Sequence, residues 1–471
     1  MENMVWTQMI YSINDIRVIT VNQAHMTAVW NKHATFYLDG SIADTDAEKL
    51  ERLIYCEDMI DILFQEQEGG QSILFSGYLK NLNMGKLKSG CHFELSITGF
   101  TYSMDVVEKI RVFQNKDMTY GQIATEVLKS YGCGILSSAD LDKSIGQILV
   151  QYHETDWEFL KRLASHFHMG IVGNYRNKSK YVSIGLCDSE EICLNPAVYT
   201  VKCNNQLCEF KKRNGVTEII DEDSISYECT NTKHYNVGDS VLFHNKKLYI
   251  NKVEMQFIGE ELVFSYKMQR KNAFAQIKRY NNHIIGMSLD GKIVNVKNDM
   301  VKVCMDKGDN GSEEKLSWLP YSTVYSSPDG TGWYCMPEIG DCVRVYFPNE
   351  MEESCYACSS VHVAGGDSEQ IRNNPDNKSI TTKYGKQIEL TPCDIKISNG
   401  NGMLICISDT DGIILVSKED IVLKAGGNIS LVSANDSVNL CAAEAIVLKQ
   451  GNNTITVKDE IRFEGTKVKV Q

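Results

Sequence analysis

The first hundred residues alternate apolar and polar positions in short runs, a pattern that predicts β-strands. IRVITV and ATFYLDG are two such runs, rich in β-branched and aromatic residues. In MIDILFQEQEGGQSILFSGYLKNLNM two runs flank Glu68-Gly69-Gly70, which predicts a hairpin because glycine tolerates the turn conformation. DTDAEKLERLIY has a helical pattern instead. We therefore expect a β-rich region interrupted by one short helix.

Two helices with capping boxes are predicted next. TYGQIATEVLKSYG places Thr119 and Gln122 at the capping-box spacing, and YHETDWEFLKRLASHFHMG does the same with Thr155 and Glu158. Apolar residues recur every three or four positions in both segments, and each segment ends on a glycine, which predicts a stop.

The second of these segments also looks reactive, because it holds three histidines and three carboxylates: His153, His166, His168, Glu154, Asp156 and Glu158. On a helix, His166 and His168 would point about 200° apart and could not bind one metal, whereas a zinc pair needs the i, i+4 spacing. A role for His153 with Glu158 stays open. The capping box and the charge of Asp156 in the first turn favour a structural helix.

Strand patterns return between Ile171 and about Arg270, in YVSIGL, AVYTVKC, FKKRNGVTEII, SVLFHNKKLYINKVEMQF and LVFSYKMQR. A new unit begins near Gly286. GMSLDGKIVNVKNDMVKVCM alternates about a predicted Asp290-Gly291 turn, and GWYCMPEIGDCVRVYF alternates about a turn at Pro337-Glu338-Ile339-Gly340. Short strands and turns over some eighty-five residues predict a small barrel of the OB type.

A polar stretch, Ala364 to Thr382, is typical of a linker. Beyond it, apolar pairs recur every eight residues with one spacing of nine, a pattern typical of a β-solenoid. The pairs are Ile405/Ile407, Ile413/Leu415, Ile421/Leu423, Ile429/Leu431, Val438/Leu440 and Ile446/Leu448.

An eight-residue repeat has room for one strand and one turn, which is a single wall of a prism. One wall alone would leave apolar residues and strand edges in water. Three chains wound about a common axis would close each rung and bury isoleucine and leucine at the centre. The repeat therefore predicts a homotrimer.

Charge and motifs narrow the function further. The net charge of −13 and the lack of a basic stripe disfavour nucleic-acid binding. We expect no secretion signal and no membrane-spanning run of apolar residues. Walker, G-x-S-x-G and dinucleotide-binding motifs do not occur, so we expect no cofactor and no enzyme activity.

The cysteines favour reduced, buried thiols in an intracellular protein. Cys187, Cys193, Cys203 and Cys208 have spacings that fit no ordinary zinc site, and Cys355-Tyr356-Ala357-Cys358 lacks a second pair. Asp409 and Asp411 could suggest calcium, but a solenoid corner explains them better. We expect no metal.

At this point the motifs resemble a known family. YHETDWEFLKRLASHFHMGI resembles the Y-x-E-[ST]-D-x-x-F-L-x-R-L-x-x-x-x-G motif of VgrG proteins and related phage hub proteins. WLPYSTVYSSPDGTGWYCMPEIGDCVRVYFPN resembles the barrel segment of that family, and NNPDNKSITTKYGKQIEL resembles the start of its β-helix. The resemblance covers nearly the whole chain in the domain order of the family.

The resemblance implies a mainly β chain with two hub β-barrels, an inserted helical section, an OB-fold neck and an intertwined trimeric β-helix. The implied segments are 1–115 for the first hub barrel, 116–170 for the helical section, 171–280 for the second hub barrel, 281–365 for the neck, 366–385 for the linker and 386–471 for the spike.

The resemblance also implies a function, namely the hub and spike of a contractile injection system, either type VI secretion or a phage-tail-like particle. The homotrimer would adapt a hexameric inner tube and baseplate proteins to a needle that punctures the target membrane. It would carry a PAAR-like tip protein and effectors, and would be assembled in the cytoplasm and delivered outward on contraction. A cell-wall-degrading or receptor-binding tail spike is the alternative.

Two sets of residues are expected to serve this function. The trimer core of the spike would be formed by the inward-facing residues Ile413, Leu415, Ile421, Leu423, Ile429, Leu431, Val438, Leu440, Ile446 and Leu448. By analogy with the family, the last four residues would contact the tip partner: Val468, Lys469, Val470 and Gln471.

Overall fold

A computed structural model describes residues 9–65, 70–87, 90–187, 190–258, 261–308, 312–362, 373–464, 466–467 and 469. The chain divides into two compact units, Met1–Val363 and Ala364–Gln471. In both units β-strands are the main regular secondary structure, which confirms the predicted fold class. In the described part of the chain, no helix is long and apolar enough to cross a membrane.

The first unit begins with a closed six-stranded barrel. β1 pairs with both β2 and β4, so the strands form a ring in the order β1-β4-β5-β6-β3-β2. The predicted hairpin is confirmed by the antiparallel pairing of β4 with β5, although residues 66–69 of its turn lie outside the described residues. The elements are β1 (Met9–Ile13), β2 (Ile16–Val29), β3 (Thr35–Ile42), α1 (Ala47–Arg52), β4 (Ile60–Gln65), β5 (Gln71–Leu87) and β6 (Gly90–Thr98).

A second group of strands extends the same sheet. The long strand β16 pairs with β2, with Met255 opposite Met26, so both groups of strands enclose one continuous apolar core. From that junction the sheet continues through β17 and β14 to the edge strand β13, while β15 and β12 continue on the other side of β16. The strands are β12 (Ile192–Leu194), β13 (Thr200–Cys203), β14 (Ile225–Asn231), β15 (Ser240–Phe243), β16 (Lys246–Ile258) and β17 (Glu261–Gln269).

One of the predicted strands in this region is wrong. The first four residues of FKKRNGVTEII end a helix, α4 (Asn205–Arg213), and a turn follows. Asn204 caps this helix by accepting a hydrogen bond from the Leu207 amide at 3.0 Å, and Gly215 takes a left-handed φ of 93° just past its end. The basic residues that looked like part of a strand instead occupy the last helical turn, where their positive charges interact favourably with the negative end of the helix dipole.

The predicted helical section lies between the two groups of strands. Both capping boxes are confirmed: Thr119 and Gln122 begin α2, and Thr155 and Glu158 begin α3. The apolar faces of the two helices share a core with neighbouring short strands. The elements are β7 (Glu108–Phe113), α2 (Tyr120–Lys129), β8 (Gly134–Ser137), β9 (Leu149–Thr155), α3 (Asp156–Ser165), β10 (Ile171–Gly173) and β11 (Tyr181–Ile184).

The glycine predicted to stop the second helix has another role. α3 already ends at Ser165, with His166 as its C-cap. A Cβ atom on Gly170 would come within 2.2 Å of Trp30 Nε1 and 2.6 Å of Asn31 Oδ1. Gly170 is therefore required where the backbone passes close to the end of β2.

Five further strands form a small barrel at the end of the first unit. Its sheet runs β20-β19-β18-β21-β22, and a bridge between Tyr321 and Ala357 joins its two ends. The predicted Asp290-Gly291 turn is wrong, because both residues lie within β18 and the chain turns at Asn298, whose φ is 54°. The strands are β18 (Ser288–Lys297), β19 (Met300–Met305), β20 (Leu319–Pro320), β21 (Cys342–Tyr346) and β22 (Tyr356–Cys358).

A buried arginine ties this small barrel to α3. Arg162 is 1% exposed. Its Nε and Nη2 each lie 2.9 Å from a carboxylate oxygen of Glu154, its Nη1 donates to Glu352 at 2.9 Å, and its Nη2 also donates to the Val150 carbonyl at 2.6 Å. Because Glu352 belongs to the small barrel, one side chain joins three parts of the unit.

A second buried charge, Asp156, lies six residues before Arg162 on the same helix. Asp156 is fully buried and accepts hydrogen bonds from Lys109 and Arg111 at 2.6 Å each, and from Gln151 and Tyr131 at 2.9 and 2.8 Å. Burial alone would raise the pKa of Asp156, but these donors outweigh it and hold the pKa below its ordinary value. The carboxylate predicted to serve the helix dipole therefore also fastens α3 to β7.

We predict that Arg162→Met destabilises the first unit by about 3–5 kcal/mol, because it leaves the carboxylates of Glu154 and Glu352 buried without their cation. Arg213→Met is the matched control, since Arg213 is an exposed helical arginine paired with Glu209, and it should change the free energy of unfolding by about 0.5 kcal/mol or less. Urea denaturation followed by tryptophan fluorescence measures both. Equal stability of the two variants would contradict the structural role of Arg162.

We also predict a pH signature for Asp156. Because its pKa is lowered in the folded protein, its ionised form stabilises the fold above the ordinary value of 3.8, and this stabilisation is lost as the pH falls through the folded pKa. The difference in unfolding free energy between the wild type and Asp156→Asn should be largest near neutral pH and should narrow below about pH 4. A difference that stays constant from pH 7 to pH 3 would refute this assignment.

Candidate functional site

The second unit carries the repeat that was predicted to form the spike. Its first five strands pair in sequence order as an antiparallel meander, and its last three form a smaller sheet of the same kind. The strands are β23 (Lys378–Thr381), β24 (Gln387–Leu390), β25 (Asp394–Ser398), β26 (Leu404–Ser408), β27 (Gly412–Val416), β28 (Ile446–Gln450), β29 (Asn453–Val457) and β30 (Ile461–Glu464). β23 lies within the segment predicted as a linker.

One face of the five-stranded sheet is apolar except for Lys378, which lies opposite Leu390 on the edge strand β23. Ile395 is paired with Ile407, Ile397 with Ile405, and Ile405 with Leu415, so the side chains form rows across the strands. These residues stand at alternate positions and therefore project from the same face. Nine of them are between 42% and 74% exposed: Ile380, Ile388, Leu390, Ile395, Ile397, Ile405, Ile407, Ile413 and Leu415.

The side chains on the opposite face of the sheet are less exposed than those on the apolar face, although the opposite face carries the polar residues. Cys406 is 5% exposed, and Lys396 bonds to Asp394 at 2.8 Å on this side. A sheet that faces water normally covers its apolar side and exposes its polar side. The single chain does the reverse, so its apolar face has the character of a surface that another molecule covers.

The middle repeats behave differently from the first ones. Residues 417–445, which are all described, hold no strand. Their predicted core residues are nevertheless exposed: Ile421, Leu423, Ile429, Leu431, Val438 and Leu440. The repeats at Ile405 and Ile413 pair with each other as β26 and β27, whereas residues 417–445 form no strand pairing, and an unpaired strand is not stable in water.

At the carboxyl end, the small sheet repeats the apolar face. Leu448 is opposite Ile455, which is opposite Phe463, and Ile446 is opposite Val457. Of the predicted tip contacts, Lys469 is exposed, whereas Val468, Val470 and Gln471 lie outside the described residues. Both the trimer core and the tip contacts therefore stay predictions.

Sequence reasoning missed the earliest rows of this face. Ile380, Ile388, Leu390, Ile395 and Ile397 precede the first repeat that was recognised, yet they belong to the same apolar face. The signal was present as alternation in ITTKYGKQIELTPCDIKIS. Irregular turn lengths there hid the period.

The Asp409-Thr410-Asp411 corner is confirmed, because it connects β26 to β27 and Ser408 Oγ accepts from the Asp411 amide at 3.4 Å.

The reactive-looking histidines are held apart by separate partners. His153 bulges from β9 with a φ of 47° and contacts Glu108 at 3.2 Å, so the possible role with Glu158 is wrong. His166 lies 3.0 Å from Tyr120 Oη, and burial followed by the nearby Arg162 lowers its pKa to about 3.

His168 lies beyond the end of α3, with a φ of 55°, and its Nδ1 is 2.9 Å from the Gln276 carbonyl. Among the described residues, no three histidine, cysteine, aspartate or glutamate side chains are grouped so that they could hold a metal. The arrangement of this segment is that of a structural element.

Comparison with known proteins agrees with this architecture. Residues 43–242 match the family model described as phage tail baseplate hub (GPD). No curated protein sequence matches the chain. Solved structures that are similar in fold over most of its length include the following two.

The first is the Escherichia coli c3393 protein, a type VI secretion component described as structurally similar to the T4 phage tail proteins gp27 and gp5. It is 11% identical, with a TM-score of 0.51 over 74% of this chain and 99% of that one. The second is the half-lidded Francisella PdpA–VgrG complex, 10% identical, with a TM-score of 0.52 over 87% of each chain. At this level of identity the likeness concerns the fold. The chain thus combines a region that matches phage tail baseplate hubs, residues 43–242, with a fold similar to those of the c3393 protein and of the PdpA–VgrG complex.

Proposed function

We propose that this chain is the central hub and spike of a contractile injection particle and that it works as a homotrimer. The observation that carries the proposal is the apolar face of the second unit, where nine large side chains in register are exposed on one side of a single wall. The baseplate-hub match over residues 43–242 supports a position at the end of an injection tube. We propose the division into hub, neck, linker and spike segments given by the resemblance.

A trimer satisfies the physical requirements of the second unit. Three walls that meet along a common axis turn their apolar faces inward and remove them from water at about 25 cal/mol per Å². Residues 417–445 would find strand partners in the two other chains, which would satisfy their backbone hydrogen bonds. The result would be a narrow, stiff needle that resists unfolding during contraction.

The first unit supports the proposal that this part of the chain is the hub. The chain contributes two groups of barrel strands that share one sheet through β2 and β16. Three copies would present six such groups to a hexameric inner tube, so a threefold spike could be joined to sixfold symmetry. We propose that baseplate proteins contact the hub. We also propose that a PAAR-like tip protein and effectors are carried at the tip of the spike, next to Lys469. The particle would be assembled in the cytoplasm and driven across a target membrane.

The alternative is a tail spike that degrades the cell wall. It would need a pair of carboxylates facing each other across a substrate cleft, whereas the buried carboxylates Glu154 and Asp156 are occupied by Arg162, Lys109 and Arg111. We expect the purified chain to leave the turbidity of a peptidoglycan suspension unchanged, with lysozyme as the positive control. Clearing of the suspension at a rate that rises with chain concentration would favour the alternative.

We predict that Leu431→Asp abolishes the trimer, because it brings three unpaired carboxylates together near one axis, each at a cost of several kcal/mol. Val432→Asp is the matched control: the neighbouring side chain projects to the opposite face of a strand, and it is 85% exposed in the single chain. Light scattering should give three times 53.1 kDa for the wild type and for Val432→Asp, and smaller species for Leu431→Asp.

Two results would count against the trimer. The first is a wild-type mass of 53.1 kDa at micromolar concentration, and the second is a Leu431→Asp variant that keeps the mass of the wild type. Circular dichroism of each variant reports whether the first unit is still folded, which separates loss of assembly from loss of the whole fold.

A further inference from the structure

The first unit contains a cleft lined by positive charge. Its volume is about 740 Å³, within the range of ligand-binding clefts, and none of the described residues that line it is acidic. The lining includes six cations contributed by different parts of the fold: Lys32, Lys161, Lys202, Lys211, Lys267 and Arg279. This concentration of positive charge is unusual for a chain whose net charge is −13.

Most of these cations have no counterion. Lys202 pairs with Glu228 at 2.6 Å, and Lys211 donates to the Ala273 carbonyl at 2.7 Å. Among the residues the structure describes, the other four cations have no carboxylate within 4.0 Å: Lys32, Lys161, Lys267 and Arg279. Lys161 and Lys267 are half-buried, so water screens the repulsion between these like charges only in part, and a bound anion would relieve it.

The pKa values of two lysines reflect this environment. Burial lowers the pKa of Lys161 although Asp105 lies near enough to oppose it, and Arg279 lowers it further. Burial also lowers the pKa of Lys211. The amino end of α4 borders the cleft as well and adds its partial positive charge.

The surroundings of the cleft indicate a protein ligand and not a small anion. Lys202 and Cys203 of β13 line the cleft, and β13 is the last strand of its sheet, so one of its edges has no strand partner among the described residues. Val198, Tyr199 and Val201 form an exposed apolar patch at this edge. Free backbone groups and exposed apolar side chains are features of protein interfaces, and a small phosphate ligand would use neither.

We propose that the cleft receives an extended acidic segment of a partner protein, which pairs with the free edge of β13. Because strand residues alternate between faces, the acidic side chains of such a segment would lie on the face of Lys202 and enter the cleft, and the apolar ones would lie on the face of Val201. The site lies wholly within Met1–Val363, so it does not depend on assembly of the spike.

A labelled peptide tests this proposal on the full-length chain. The probe is an eight-residue peptide of alternating glutamate and valine carrying fluorescein, and fluorescence anisotropy measures its Kd. We expect it to bind at least tenfold more tightly than the same peptide with glutamine in place of glutamate. A third peptide with an N-methyl group on every amide should bind at least tenfold more weakly than the probe, because neither of its edges can donate hydrogen bonds to β13.

Variants locate the site. The double variant Lys161→Gln/Lys267→Gln should weaken binding of the glutamate peptide about tenfold and reduce its salt dependence. Lys32→Glu, a change at an exposed position of the cleft, should do the same without risk to the core. Lys129→Gln, on the exposed face of α2, is the control and should bind like the wild type.

Three outcomes would overturn the proposal: no binding of the glutamate peptide, equal binding of the glutamine or N-methyl peptide, or equal binding by the cleft variants. Pyrophosphate serves as a competitor. Micromolar binding of pyrophosphate without binding of the peptide would assign the cleft to a phosphate ligand instead.

Discussion

A β-strand has two requirements that a chain cannot leave unmet: its backbone groups need hydrogen-bond partners, and its apolar side chains need cover from water. The first unit meets both requirements within one chain. The second unit meets them only in part, because its five-stranded wall pairs its backbone but leaves one apolar face open. Residues 417–445 meet neither requirement in the single chain. The proposed function depends on this difference between the units.

The self-sufficiency of the first unit has a visible physical basis. β1 closes a ring of six strands, so that the first barrel has no open edge. Arg162 and Asp156 then lock α3 against the surrounding strands through buried, charge-assisted hydrogen bonds. Close packing and charge-assisted hydrogen bonds make such a unit rigid, which is what the proposed hub requires in order to transmit force. The free edge of β13 is the exception, and it lies beside the cationic cleft.

Local patterns in the sequence predicted much of this structure. Capping boxes located the first residues of α2 and α3, and alternation located most strands, because both signals depend on neighbours within one turn or one strand. Long-range contacts could not be predicted in this way. The pairing of β16 with β2 joins residues more than two hundred positions apart, and the contact of Arg162 with Glu352 spans 190 positions.

The glycines show the same limit. Gly170 was interpreted as a helix stop and Gly291 as a turn, but each is required where another part of the chain passes close to its Cα. The basic residues before Asn214 were interpreted as part of a strand. The residue that caps their helix, Asn204, lies outside the segment that was interpreted. For the spike, the period of eight predicted a wall that needs other chains to cover it, and the apolar residues of that wall are exposed in the single chain. The partners themselves are not encoded in any local pattern.

The central claim is that the repeats in residues 417–445 become strands only when sister chains supply the missing edges. Hydrogen–deuterium exchange of the backbone amides in this segment, measured by mass spectrometry on the purified full-length chain, tests that claim most directly. The account predicts that these amides exchange orders of magnitude more slowly than those of an unstructured peptide, and as slowly as the amides of the paired strands β25 and β26. Exchange at the rate of an unstructured peptide throughout the segment would contradict it.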